Sequence, residues 1–62
     1  MKSLKEYMTV AGLTQTELAK RIGVHQGQLN HWINGRSAPT VANLKLISKA
    51  TGINLEKLAE DL

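Results

Sequence analysis

The sequence predicts an all-α fold, a compact bundle of about five short helices, and three observations support this class. Apolar residues recur at spacings of three and four, as on one face of a helix. Helix-starting Ser, Thr and Asn residues alternate with helix-ending glycines along the 62 residues. Strand signals are nearly absent, since only residues 51–55 combine a β-branched residue with flanking turn formers, and strong helix formers follow.

Two capping boxes predict where the first two helices begin. In this motif a hydroxyl and, three residues later, a carboxylate each satisfy a free backbone amide. The two pairs are Ser3 with Glu6 and Thr14 with Glu17. Gly12 and Gly23 follow the last periodic apolar residues, where a left-handed residue ends a helix. We therefore predict helices over residues 4–11 and 15–22.

Three more helices are predicted in the remainder of the chain. The third covers about residues 26–33 and runs into Asn34 and Gly35. A loop with Pro39 follows, after which Thr40 caps a fourth helix that ends before Gly52. Asn54 caps a fifth helix, whose apolar positions at helical spacing are Leu55, Leu58, Ala59 and Leu62.

Length and composition exclude several classes of protein. A chain of 62 residues forms one domain, residues 1–62, and leaves no room for a deep catalytic cleft between lobes. We find no nucleophile motif, phosphate loop or paired carboxylates, so we expect no enzyme, no catalytic residues and no cofactor. The absence of cysteine excludes disulfides and thiolate zinc sites and fits a reducing cytoplasm. Neither a signal peptide nor a membrane span is predicted.

The charge is distributed unevenly along the chain. Residues 1–55 contain seven basic and two acidic side chains, whereas residues 56–62 contain one basic and three acidic ones. The basic body favours an anionic partner. A few surplus lysines that only confer solubility remain the alternative interpretation.

Residues 15–34 contain the most informative pattern. Five apolar side chains are positioned to converge into one small core: Leu18, Ile22, Val24, Leu29 and Trp32. Ala19 is small where two helices would cross closely, and Gly23 supplies a sharp turn. Two short helices are thereby locked at a steep angle, with one face of the second left free.

This stretch resembles the helix-turn-helix of the phage Cro and repressor proteins, the lambda-repressor-like or XRE-type family. The resemblance extends from Leu4 to about Leu58 and is most specific at residues 14–19, Gly23-Val24, residues 32–36 and Pro39. It implies that helices 2 and 3 form the helix-turn-helix of a sequence-specific regulator that binds double-stranded DNA. The family leads us to expect a Cro-like repressor, because no extra domain for binding an inducer is evident. A plain helical hairpin is the alternative.

The outer face of helix 3 supplies the candidate base contacts. At about 100° per residue, these positions share one side of the helix, opposite Leu29 and Trp32: Gln26, Gly27, Asn30 and His31. Gln and Asn amides pair with adenine, and a histidine N–H donates to guanine. Gly27 departs from the polar residue usual in the family, so either DNA backbone approaches it closely or it reads nothing. For Gln26 and His31 the alternative is simple solvent exposure.

The candidate phosphate contacts flank this helix: Gln15, Gln28, Asn34, Arg36 and Thr40. By resemblance, Gln15 contacts the DNA backbone at the positive end of the second helix dipole. Gln28 lies on the flank of the helix, where its side chain either contacts a phosphate or packs against the protein. For Arg36, the alternative to a phosphate contact is a charge that is only solvated. A favourable interaction with the helix dipole explains why Lys20 and Arg21 lie at the end of the second helix, so we assign them no DNA contact.

A homodimer on a two-half-site operator is the expected assembly, because each correct base pair contributes only about 1–3 kcal/mol. The carboxyl-terminal segment either forms the dimer surface or closes the monomer core, through Ile53, Leu55, Leu58 and Leu62. His25 and His31 lack the spacing of a helical metal site, so no metal is expected. No small-molecule ligand is expected either. A protein-interaction module of antitoxin or adaptor type is the alternative function, and RNA binding is disfavoured because no exposed aromatic platform is present.

Overall fold

The computed structural model describes residues 1–62 and confirms the predicted all-α class. Five helices follow one another without strands: α1 (Lys2–Ala11), α2 (Gln15–Ile22), α3 (Gln26–Ile33), α4 (Val41–Thr51) and α5 (Leu55–Glu60). The bounds of α2 and α3 agree with those predicted, and α5 ends before Leu62. None of these helices combines the length and the apolar character needed to cross a membrane.

The capping box predicted at Ser3 and Glu6 is wrong. α1 begins at Lys2, so Ser3 lies inside its first turn, and the N-cap residue Met1 makes no side-chain capping bond. The amide of Ser3 instead donates to Oδ2 of Asp61 at 2.8 Å. Because a carboxylate from the far end of the chain satisfies this amide, the helix extends two residues beyond its predicted start.

The box at Thr14 and Glu17 is confirmed. Glu17 N donates to Thr14 Oγ1 at 3.2 Å, and Thr14 N donates to Glu17 Oε1 at 3.1 Å. Hydrogen bonds from the Thr14 backbone and side chain lower the pKa of Glu17 below its ordinary value. Two further predicted caps are also present: Thr40 accepts from Asn43 N, and Asn54 accepts from Glu56 N.

The core lies between the helices and includes most of the side chains predicted for it. Leu18, Ile22, Leu29 and Trp32 are buried, Ala19 is buried with them, and Val24 packs against this cluster from a partly exposed position. Ile33, for which we predicted no core role, is also buried. The rest of the cluster comes from the other helices and the amino terminus: Met1, Leu4, Leu44, Ile47 and Leu58.

Candidate nucleic-acid interface

The connection between α2 and α3 is a sharp turn at Gly23. This glycine has a φ of 90°, and its amide and that of Val24 both donate to Ala19 O, at 2.8 and 3.0 Å. A left-handed residue here is strained for any side chain that carries a Cβ. The turn therefore ends α2 after Ile22 and lets α3 begin at Gln26, with the small, buried Ala19 between the helices.

α3 is held from its inner side and from its carboxyl end. Leu29, Trp32 and Ile33 are all buried against the core. The amino group of Met1 donates to Trp32 O and to Ile33 O, each at 3.0 Å. A positive charge placed at these terminal carbonyls also interacts favourably with the helix dipole. α3 is thus anchored by residues that lie away from its outer face.

The outer face of α3 presents polar side chains and contains no Asp, Glu, Lys or Arg. Gln26, Gly27 and His31 are exposed, whereas Asn30 is half-buried. A Cβ built at Gly27 meets no atom within 4 Å. Packing within the protein therefore does not require a glycine at this position, and the surface beside it is open.

Two side-chain hydrogen bonds connect the amides on this side of α3, and one of them reaches α2. Asn30 Nδ2 donates to Gln15 Oε1 at 3.2 Å, and Asn34 Nδ2 donates to Asn30 Oδ1 at 3.1 Å. The carbonyl of Gln15 is engaged in this way, which leaves its Nε2 group as a donor. Asn30 retains one amide hydrogen and one lone pair, because each amide end has a capacity of two.

Gln26 is held by Thr16, for which no role was predicted. The hydroxyl of Thr16 donates to Gln26 Oε1 at 3.0 Å. No local spacing signals this pair, because Thr16 and Gln26 stand on different helices and meet only through the crossing of α2 and α3. This bond lies beside the one between Gln15 and Asn30, and together they hold the first turn of α2 against the outer side of α3.

The predicted phosphate residues lie in different environments. Gln28, Asn34 and Arg36 are exposed, and Gln15 is half-buried. The Arg36 amide donates to His31 O at 2.9 Å, which holds the start of this loop against the end of α3. The single ion pair in the protein joins Lys2 to Glu6. The Arg36 guanidinium therefore has no carboxylate partner. Thr40 accepts a capping bond at the start of α4.

Comparison with known proteins identifies the family. A family model described as helix-turn-helix matches residues 4–58, a span that includes α2, α3 and the loop after them. No curated protein and no solved structure gives a significant match. The matched family is one of DNA-binding regulators and is not typically enzymatic. Since the match covers most of the chain, the protein belongs to the helix-turn-helix family of DNA-binding regulators.

Proposed function

We propose that this protein is a sequence-specific transcription regulator, a Cro-like repressor, that reads double-stranded DNA with α3 in the major groove. The observation that supports this most strongly is the outer face of α3, where Gln26, Asn30 and His31 offer hydrogen-bond donors and acceptors over a buried apolar side. Base edges in the major groove present donors and acceptors of this kind.

Charge supports the same proposal. Between residues 7 and 55 the only acidic side chain is Glu17, and its carboxylate is engaged with Thr14. The surface around α2 and α3 therefore repels a phosphate backbone little. Such a surface permits the close approach on which base reading depends.

The roles of individual residues follow from their positions. Gln26, Gly27 and His31 face the base edges, and Asn30 contributes its remaining amide hydrogen. Phosphates are contacted by the side chains and amides that flank this face: Gln15, Gln28, Asn34, Arg36 and Thr40. Gln15 suits this role because its free Nε2 group is a donor, and Arg36 suits it because its charge is unpaired.

Two copies of the chain bind one operator in this proposal. The protein measures 23 × 20 × 18 Å, less than the roughly 34 Å of one turn of DNA, so each copy contacts one half-site. Leu58 lies in the core, but Leu55 and Leu62 remain 38% and 58% exposed. These two exposed leucines are the dimer contacts we propose.

A binding titration at several salt concentrations tests the proposal. Duplexes selected from a random pool and unselected duplexes are compared by fluorescence anisotropy. We expect a symmetric selected site and a steep negative slope of log affinity on log salt, because phosphate contacts release counterions. Absence of duplex binding at low salt would overturn the proposal and favour a helical protein-interaction module instead.

A further inference from the structure

The hydrogen bond between Thr16 and Gln26 has a consequence for base recognition. We propose that Thr16 is a positioning residue, which orients the Gln26 amide toward the N7 acceptor of a purine. This inference rests on the proposed DNA-binding function and extends it to a residue outside the predicted interface. Thr16 itself need not touch DNA for this role.

The hydroxyl of Thr16 has one hydrogen-bond partner in the structure. Thr14, its neighbour in the same turn, uses its oxygen to cap α2 and donates to Glu17 Oε1 at 3.0 Å. Thr16 has no capping role, and its hydroxyl donates to Gln26 Oε1 at 3.0 Å. The Gln26 side chain is exposed and has no other hydrogen bond within the protein, and in this bond Oε1 is the end of the amide that faces α2.

The orientation selects a chemistry for the outward end. A glutamine amide has two N–H donors at Nε2 and two lone pairs at Oε1, and its terminal torsion is broadly permissive. With Oε1 turned toward Thr16, Nε2 is the end that faces outward, and one lone pair of Oε1 stays free.

This set of groups is complementary to a purine edge. The outward Nε2 donates to N7, which both adenine and guanine present in the major groove. The free lone pair of Oε1 additionally accepts from the N6 amino group of adenine. Cytosine presents an amino donor there but no acceptor, so the outward Nε2 group would be left without a partner. The contact with N7 is therefore favoured, and a contact with the cytosine amino group is disfavoured.

Two substitutions separate the hydroxyl from the shape of Thr16. Thr16→Val removes the hydroxyl and keeps the branched side chain, whereas Thr16→Ser keeps the hydroxyl. Both are at an exposed position, and thermal unfolding of each variant establishes that it is folded. The base pair contacted by Gln26 is located first, as the pair whose preference changes in Gln26→Ala.

Binding is then measured with the natural purine and with its 7-deaza analogue at that pair. We expect the analogue to weaken wild-type and Thr16→Ser binding about three- to tenfold, the range for one net hydrogen bond. Thr16→Val binds the natural site more weakly by a similar factor and loses little more with the analogue. The salt dependence stays the same in all three proteins, because no phosphate contact is altered.

A second measurement does not depend on DNA. The heteronuclear NOE of the Gln26 side-chain amide, measured by NMR on the free protein, reports whether this group is ordered. We expect order in the wild type and in Thr16→Ser and mobility in Thr16→Val. A mobile amide in the wild type, or an equal 7-deaza effect in Thr16→Val, overturns the role of Thr16 alone. If the wild type binds no duplex, the purine contact falls together with the proposed function.

Discussion

Asn30 Nδ2 donates to Gln15 Oε1 across 3.2 Å and thereby connects the middle of α3 with the first residue of α2. Asn34 extends this connection by donating to Asn30 Oδ1. The proposed base-contacting helix and the proposed phosphate contact at Gln15 are therefore joined by side-chain amides. A substitution at one of these residues should therefore change the energetic effect of a substitution at the other.

Asn30→Ala should lower the free energy of unfolding by about 1 kcal/mol, since two hydrogen bonds are lost while alanine improves helix propensity. Urea denaturation measures this change. Gln28→Ala is the matched control, because Gln28 lies on the same helix, is exposed and makes no side-chain hydrogen bond; its stability should stay within about 0.5 kcal/mol of the wild type. In a double-mutant cycle with Gln15→Ala, the loss of stability in the double variant should differ from the sum of the losses in the two single variants. Simple additivity would show that the bond contributes nothing.

Gln26→Ala and Arg36→Ala should affect DNA binding differently. Loss of the Gln26 amide should relax the preference at one base pair of each half-site by about 1–3 kcal/mol. Loss of the Arg36 guanidinium should weaken all sequences alike and reduce the salt slope by about 1. Titration of selected and unselected duplexes separates the two effects. Lys57→Ala, an exposed change of charge on α5, is the control and should leave the base preference intact. An unchanged preference in Gln26→Ala would contradict the placement of the base-reading face.

Leu58 and the two exposed leucines should differ in what they stabilise. Leu58 is fully buried, so Leu58→Ala should cost about 2–5 kcal/mol of folding stability. Leu55→Ser and Leu62→Ser should leave the fold intact and weaken self-association, which sedimentation velocity with and without operator DNA detects. A dimer that survives the double substitution would place the subunit interface elsewhere.

Removal of the hydroxyl that caps α2 should destabilise the protein. Thr14→Ala should lower the free energy of unfolding by about 1 kcal/mol, because the amide of Glu17 loses its acceptor. Thr9→Ala is the matched control: Thr9 is exposed within α1, and its hydroxyl donates only to Lys5 O. This control should be neutral or more stable by up to about 0.7 kcal/mol, given the helix propensity of alanine. Equal losses in the two variants would argue against the capping role.

The stability of the protein should fall in acid because of Asp61. Burial raises the pKa of this carboxyl, but hydrogen bonds from Ser3 and Lys2 and the charge of the amino terminus together hold the pKa below its ordinary value of 3.8. A lowered pKa in the folded state stabilises the protein above pH 3.8, and this contribution is lost as the pH falls through the folded value. Thermal unfolding between about pH 5 and pH 2 measures the loss. Asp61→Asn should reduce the acid dependence, whereas the neighbouring change Glu60→Gln should retain it.

Local signals in the sequence account for most of the fold. The helices α2 to α5, the caps at Thr14, Thr40 and Asn54, and the glycines that end helices were all predictable, because each depends on residues only a few positions apart. The burial of Leu29 and Trp32 followed from helical periodicity in the same way. The sequence by itself therefore determined α2 to α5, the turn between α2 and α3 and the face of α3 that is exposed.

Only the tertiary structure decided which distant groups meet. The start of α1 depends on Asp61, which lies 58 residues from Ser3. The bond between Thr16 and Gln26 depends on how α2 and α3 cross, and the division between buried Leu58 and exposed Leu62 depends on how α5 ends. Helical periodicity predicts on which face of its own helix a side chain lies. Which residue of another helix it contacts is determined by the packing of the whole core.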